Sequence, residues 1–207
     1  EIKLKSRNLK QQSFDYKQWH DVTISLPGSY QPQNAIVALE AIKVLREQGY
    51  HISDEDVLNG LNKTVWKGRF TLISETPPVI MDGAHNPAGA KELMKSLELY
   101  FNNKKYIYIF GVFSDKDYDE IVEITAKRAE HIITVQTPNN PRALSAEELR
   151  DEVIKVNKSC EASETIDEAV RKAIKMAKED EDCIIVIFGS LSFLGDAEKA
   201  LYNGERR

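Results

Sequence analysis

"VIMDGAHNPAGAKELMKSL", residues 79–97, opens as an apolar strand, breaks at Asp82-Gly83 and resumes as a helix after Asn86-Pro87. Asn86 suits a helix N-cap and Pro87 a first helical position. The same strand-turn-helix grammar repeats downstream. Strands are expected at 79–81, 106–112, 132–135, 160–162 and 183–188, and helices at 87–100, 118–129, 146–156, 166–178 and 191–202. Strands alternating with helices of this length predict an α/β fold, a mainly parallel sheet with helices on both faces.

The helix signals are specific in places. Ile166, Ala169, Val170, Ala173, Ile174 and Ala177 fall on one helical face, and Thr165 with Glu168 and Ser145 with Glu148 have capping-box spacing. "FTLIS" at 70–74 reads as an antiparallel edge strand. Upstream the text differs: residues 1–26 read as short strands, a meander that would be marginal alone. A helix follows, with Ala35, Leu39, Ile42 and Leu45 near helical spacing and Gly49 placed to end it. Ser53 then reads as the N-cap of a second helix that buries Val57, Leu58 and Leu61. Residues 1–65 therefore resemble the tail of a mixed domain.

The chain has 207 residues, 42% of them hydrophobic, enough for at least one real core. Residues 1–70 hold ten Lys/Arg against eight Asp/Glu and the remainder eighteen against twenty-five, with no dense basic stripe of the kind nucleic acid requires. A small-molecule partner is the expectation. No apolar run approaches a membrane span and no signal segment opens the chain, so a cytoplasmic address is expected. Cys160 and Cys183 lack paired spacing and read as reduced core residues. The chain starts without Met and runs straight into strand-like text, as if cut from something longer.

Ligands of open parallel sheets bind beyond the carboxyl ends of the strands. Three loops there are informative: Asp82 to Pro87, Gly111 to Asp117, and Gly189 to Ser192. Gly83, Gly111 and Gly189 allow sharp turns or close approach. Taken singly, Asp82 reads as a turn former and His85 as a surface residue. Together beside a helix N-terminus they suit holding a phosphate-bearing or carboxylate ligand. Asp115, Lys116 and Asp117 read as a solvated loop capping helix 118–129, Ser190 as an N-cap, Arg69 as the partner of a local carboxylate, and Trp66 as core. Phosphate-loop, dinucleotide and nucleophile-elbow motifs are all absent from the sequence, as is metal-ligand spacing.

Six stretches, in order, resemble the carboxyl-terminal part of folylpolyglutamate synthase, often bifunctional with dihydrofolate synthase, within the Mur ligase superfamily. "LPGSYQPQNAIVAL" (26–39) resembles the family's G-x-[HY]-Q-x-x-N-A segment and "WKGRF" (66–70) its W-P-G-R-F. "IMDGAHNPAG" (80–89) resembles D-G-A-H-N, and "FGVFSDKD" (110–117) the D-K-D loop. "PRALSAEEL" (141–149) resembles P-R-A-x-x-x-E-E-L, and "FGSLSFLGD" (188–196) the closing G-S-L-Y-x-x-G. Lys67 stands where the family has Pro, and Phe193 where it has Tyr, which removes a hydroxyl donor.

The resemblance implies a Rossmann-like glutamate-ligase domain at 68–207, preceded at 1–67 by the remnant of a central ATPase domain. It implies ATP-dependent addition of L-glutamate to the γ-carboxylate of folate or folylpolyglutamate through an acyl phosphate, with dihydropteroate as a further acceptor. Asn34, Arg69 and Asp82 would bind ATP, and His85 and Ser190 would lie on the glutamate side. Asp115, Lys116 and Asp117 would stand on the rim. Mg²⁺ would be held by the missing amino-terminal ATPase domain, without which this monomeric fragment would be inactive. The alternatives are a stand-alone binding or regulatory module of the same fold, or a related amide ligase with another acceptor.

Overall fold

The computed structural model describes residues 1–205, which divide into two compact units, Glu1–Arg69 and the remainder from Phe70. In the first, β1 (Ile2–Arg7), β2 (Gln12–Tyr16) and β3 (Trp19–Ile24) form an antiparallel meander. Helices α1 (Gln31–Glu47) and α2 (Asp54–Lys63) cover it. Phe14, Trp19, Val22 and Ile24 of the strands pack with Ala35, Leu39 and Val57 of the helices, which gives the meander the support it lacks alone. Gly49, at φ 95°, ends α1. The Ser53 hydroxyl accepts the Asp56 amide while the Asp56 carboxylate accepts the Ser53 amide, a complete capping box.

The second unit is one six-stranded sheet of β4 (Thr71–Glu75), β5 (Pro78–Met81), β6 (Lys105–Phe110), β7 (Ala129–Thr134), β8 (Cys160–Ala162) and β9 (Cys183–Phe188). The spatial order is β4-β5-β9-β6-β7-β8, parallel throughout except for β4, the antiparallel edge. The connecting helices are α3 (Pro87–Phe101), α4 (Tyr118–Thr125), α5 (Ala146–Val153) and α6 (Ile166–Glu179), with α7 (Leu191–Glu205) after β9. Alternate residues serve the two faces, as the pleat requires. Val79, Met81, Ile107, Ile109, Ile185 and Ile187 pack against α6 and α7. On the other face Tyr108 reaches Met94 of α3, and Phe110 stacks on Phe188 with ring centroids 4.7 Å apart. Central strand β9, "CIIVIF", is buried at every position, which explains its unbroken apolar run. Among the described residues no helix is long and apolar enough to cross a membrane.

Three details depart from the sequence expectations. The α-helix expected at 118–129 stops at Thr125, passes through a single 3₁₀ turn at Ala126–Arg128, and gives way to β7 three residues early. Asn157 ends it: its side-chain amide donates to the carbonyls of Ala126 and Ala129, both at 2.8 Å. Replacing Asn157 by alanine should destabilise the protein by about 2 kcal/mol, the cost of two part-buried hydrogen bonds, although the Ala126 carbonyl keeps the Ala129 amide. A thermal unfolding midpoint lowered by less than about 1 °C would contradict that role for Asn157. Secondly, the Thr165 hydroxyl caps α6 by accepting the Glu168 amide, while Glu168 also turns its carboxylate to Lys172 at 3.1 Å. Finally, Cys183 is buried as expected, but Cys160 is only half-buried on edge strand β8; burial still pushes its thiol up to about 12, which leaves it a poor nucleophile.

Candidate functional site

The carboxyl ends of β5, β9 and β6 lie side by side, with Met81 opposite Ile187 and Phe110 opposite Phe188. The ladder runs one residue beyond the strands, since the Asp82 amide donates to Ile187 at 3.0 Å and the Gly111 amide to Phe188 at 3.2 Å. The three loops singled out in the sequence therefore leave one edge of the sheet together. They can be this close because the space holds no side chain. A Cβ on Gly189, at φ 112°, would run into the Gly111 carbonyl oxygen, and one on Gly111 would stand 2.7 Å from the Val135 oxygen. Phe193, the residue without a hydroxyl, is fully buried beneath this edge and serves the core.

The loop after β5 is wound tightly. The Asn86 side chain accepts the Gly89 amide at 2.7 Å and caps α3, and Pro87 takes the first helical position, as the sequence predicts. The half-buried His85 places Nδ1 2.7 Å from the Gly83 carbonyl. A carbonyl only accepts, so Nδ1 carries the proton and a neutral His85 presents the lone pair of Nε2. Nε2 has no hydrogen-bond partner among the described residues. Asp82 is different: it is 4% exposed, and each carboxylate oxygen accepts a backbone amide, Oδ2 that of Phe70 at 2.8 Å and Oδ1 that of Ala84 at 2.7 Å. Ser190, also buried, accepts the Ser192 amide at 3.2 Å at the start of α7, which leaves its O–H to donate.

Further along the rim, Asp115 is paired with Arg142 at 3.0 Å, and the Arg142 guanidinium lies over the Phe113 ring, 4.7 Å from its centroid. Arg142 also anchors the loop through its carbonyl, which accepts the Ser114 amide at 2.8 Å. Asp117 occupies the N-cap position of α4 without a side-chain hydrogen bond to the helix, so the capping expected of this loop is not made. Arg142 is a rim residue that sequence reasoning did not single out. Its partner is 27 residues away and no local spacing announces the pair.

Asn34 and Arg69 belong to the first unit. They line one cavity of about 420 Å³ together with Ile24, Leu26, Gln31 and Trp66. The Asn34 amide donates to Gln31 at 3.1 Å, which fixes its orientation at the mouth of α1. Trp66, expected in the core, is 61% exposed and borders this cavity instead. The backbone around Arg69 is unusual: Gly68 at φ 76° and Phe70 at φ 50° flank it, and a bulky residue in the left-handed region costs about 1–2 kcal/mol. Among the described residues no group of three or more His, Cys, Asp or Glu side chains could hold a metal ion. An apolar pocket with two side-chain amides and one guanidinium at its wall suits a heteroaromatic ring bearing phosphate.

Residues 68–191 match the family model described as "Mur ligase, glutamate ligase domain". The dihydrofolate synthase/folylpolyglutamate synthase of Bacillus subtilis is 36% identical over 186 residues, which is 89% of this chain and 42% of that protein. The UDP-N-acetylmuramoyl-L-alanyl-D-glutamate–2,6-diaminopimelate ligase 1 of Clostridium acetobutylicum is 32% identical, over 93% of this chain and 42% of its own length. Among solved structures, the folylpolyglutamate synthase of Thermotoga maritima superposes with a TM-score of 0.76 at 31% identity, covering 98% of this chain and 46% of that one. The chain thus spans less than half the length of the proteins it is similar to.

Proposed function

That this chain belongs to the Mur ligase family is the premise from which we propose its function: the carboxyl-terminal part of a folylpolyglutamate synthase, acting in the cytoplasm. In the proposed reaction a carboxylate oxygen of folate or folylpolyglutamate attacks the terminal phosphorus of ATP, ADP leaves, and an acyl phosphate forms. The amine of L-glutamate then attacks the acyl carbon, phosphate leaves, and an amide remains. Work of this kind is chiefly positioning and charge neutralisation.

The observation that carries this reading is the cavity in the first unit, where the family-like Asn34 and Arg69, though 35 positions apart in the chain, border the same space. We assign Asn34 to the base of ATP and Arg69 to its phosphates. The rim of the second unit is assigned to glutamate. Nε2 of His85 would accept a hydrogen bond from the incoming amino group, and the Ser190 hydroxyl would donate to a carboxylate. Asp115, held by Arg142, and the neighbouring Lys116 and Asp117 border the same rim. Asp82 is assigned to ATP as well; each of its oxygens accepts one backbone amide, which holds the carboxylate in place and leaves lone pairs on both oxygens. Mg²⁺ would neutralise phosphate charge when bound; with no ligand set among the described residues, its binding is assigned to an amino-terminal ATPase domain. That domain would also cover α1, whose outer side exposes Val37 (69%) and Val44 (50%) opposite the buried Ala35 and Leu39.

The test is ATP-dependent ligation of glutamate to tetrahydrofolate by the full-length gene product. His85→Ala should raise KM for glutamate about tenfold or more, the loss of one hydrogen bond to a charged group, with KM for ATP within about threefold. An unchanged KM for glutamate would return His85 to a turn role. An inactive parent that still binds nucleotide would favour a binding module. The Clostridium relative supports a second reading, an amide ligase with another acceptor. Activity on that enzyme's muramoyl acceptor and not on folate would decide for it.

A further inference from the structure

We propose that Gln12 is a positioning residue for the cavity of the first unit: its side-chain amide fixes the loop between β3 and α1 and thereby sets where α1 presents Asn34. The inference rests on the proposed nucleotide site and adds to it a residue that works without touching ATP. Every residue involved belongs to the first unit.

Gln12 stands on β2 with no exposed surface, although glutamine side chains are mostly solvated. Both ends of its amide are engaged. Nε2 donates to the Leu26 carbonyl at 2.9 Å and to the Gly28 carbonyl at 3.0 Å, while Oε1 accepts Nε of Arg7 at 2.8 Å. The partners fix which end is nitrogen, since carbonyls only accept and a guanidinium only donates. A buried neutral group that gives two hydrogens and takes one is what a side-chain amide supplies. A carboxylate at 12 would turn lone pairs on both carbonyls, and a methionine would leave both without this donor.

The loop that Gln12 grips leads into the cavity. Leu26 is part of the cavity wall. Two residues on, the Gly28 carbonyl also accepts the Gln31 amide at 3.4 Å, at the first position of α1, and the Gln31 side chain accepts from Asn34 at 3.1 Å. Hydrogen bonds therefore run without a break from Arg7 through Gln12 and the Gly28 carbonyl to Gln31 and Asn34. Elsewhere in the chain a helix start is fixed by a capping side chain, as Ser53 does for α2, but Tyr30 occupies the N-cap of α1 with no side-chain hydrogen bond to the helix. Gln12 holds from outside the helix a start that its own cap residue does not hold in this way.

The experiment is a double-mutant cycle on ATP affinity, measured by calorimetry on the full-length gene product with Gln12→Met, Asn34→Ala and the double variant. Methionine keeps the length of the side chain and removes its amide. Gln12→Met should weaken ATP binding about tenfold in the parent, the scale of one misplaced hydrogen bond, and less than about twofold when Asn34 is already alanine. KM for glutamate should stay within about twofold. An equal loss in both backgrounds would mean that Gln12 serves ATP by a route other than Asn34, and a lowered unfolding midpoint with unchanged ATP affinity would leave it a core residue only; either overturns the proposal. Should Gln12→Met fail to fold, amide exchange in the unaltered protein decides: ATP should slow exchange at Gln31, and an unresponsive Gln31 amide overturns the idea. A parent that binds no ATP would sink the nucleotide reading itself. Positioning would then be judged by exchange of the Gln31 amide in Gln12→Met, which should accelerate; an unchanged rate overturns it.

Discussion

Replacing Arg69 by alanine in the full-length gene product is expected to lower kcat/KM for ATP by about a hundredfold, while the unfolding midpoint moves by less than about 2 °C. The size follows from chemistry: a charge-assisted hydrogen bond to phosphate is worth about 1.5–3 kcal/mol, and each 1.4 kcal/mol is a factor of ten. Arg69 lines the cavity of the first unit beside Asn34, so the loss should fall on ATP and leave KM for glutamate largely in place. Lysine should recover only part of it, because it keeps the charge but not the planar fork. A loss below about threefold in Arg69→Ala would remove this residue from the phosphate site.

An equally large effect, on stability, is expected at Gly189. Alanine there would put a Cβ into the Gly111 carbonyl oxygen and 2.8 Å from the Phe110 ring, at a φ of 112° that side chains rarely adopt. Backbone strain and overpacking together cost at least about 3 kcal/mol. Neither neighbour can yield cheaply, since one is backbone and the other stacks on Phe188. Gly60 supplies the contrast. It lies within α2 with nothing near its would-be Cβ, so Gly60→Ala should be neutral or stabilise by up to about 1 kcal/mol. Chemical denaturation of the two variants side by side would check both signs. A Gly189→Ala protein as stable as the parent would show that the strand ends can part without cost.

Much of the second unit could be read from the chain because its signals are local. Periodicity marked α6 almost to its ends, the apolar run "CIIVIF" marked β9, and Asn86-Pro87 marked the start of α3. The grouping of the rim loops followed from a general property of parallel sheets and needed no contact to be known in advance. What stayed hidden was set by partners distant in sequence. Asn157 decides where the helix after β6 ends, Arg142 claims Asp115, and the Phe70 amide claims Asp82. Trp66 misled for a related reason. Its composition says core, but its place beside Arg69 puts it at the edge of a cavity.

The strand order has a consequence in time. Strand β9 lies between β5 and β6, yet a ribosome makes it last of the six. Until residues 183–188 have emerged, the two strands that flank it have no hydrogen-bonding neighbour on their inner sides, and the growing unit can only be two separate pieces of sheet. The first rim loop, at Asp82, waits through about a hundred further residues of synthesis for the Gly189 turn that completes its surroundings. A nascent chain therefore has no half-made version of this rim, and its three loops come together in one step with the closing strand.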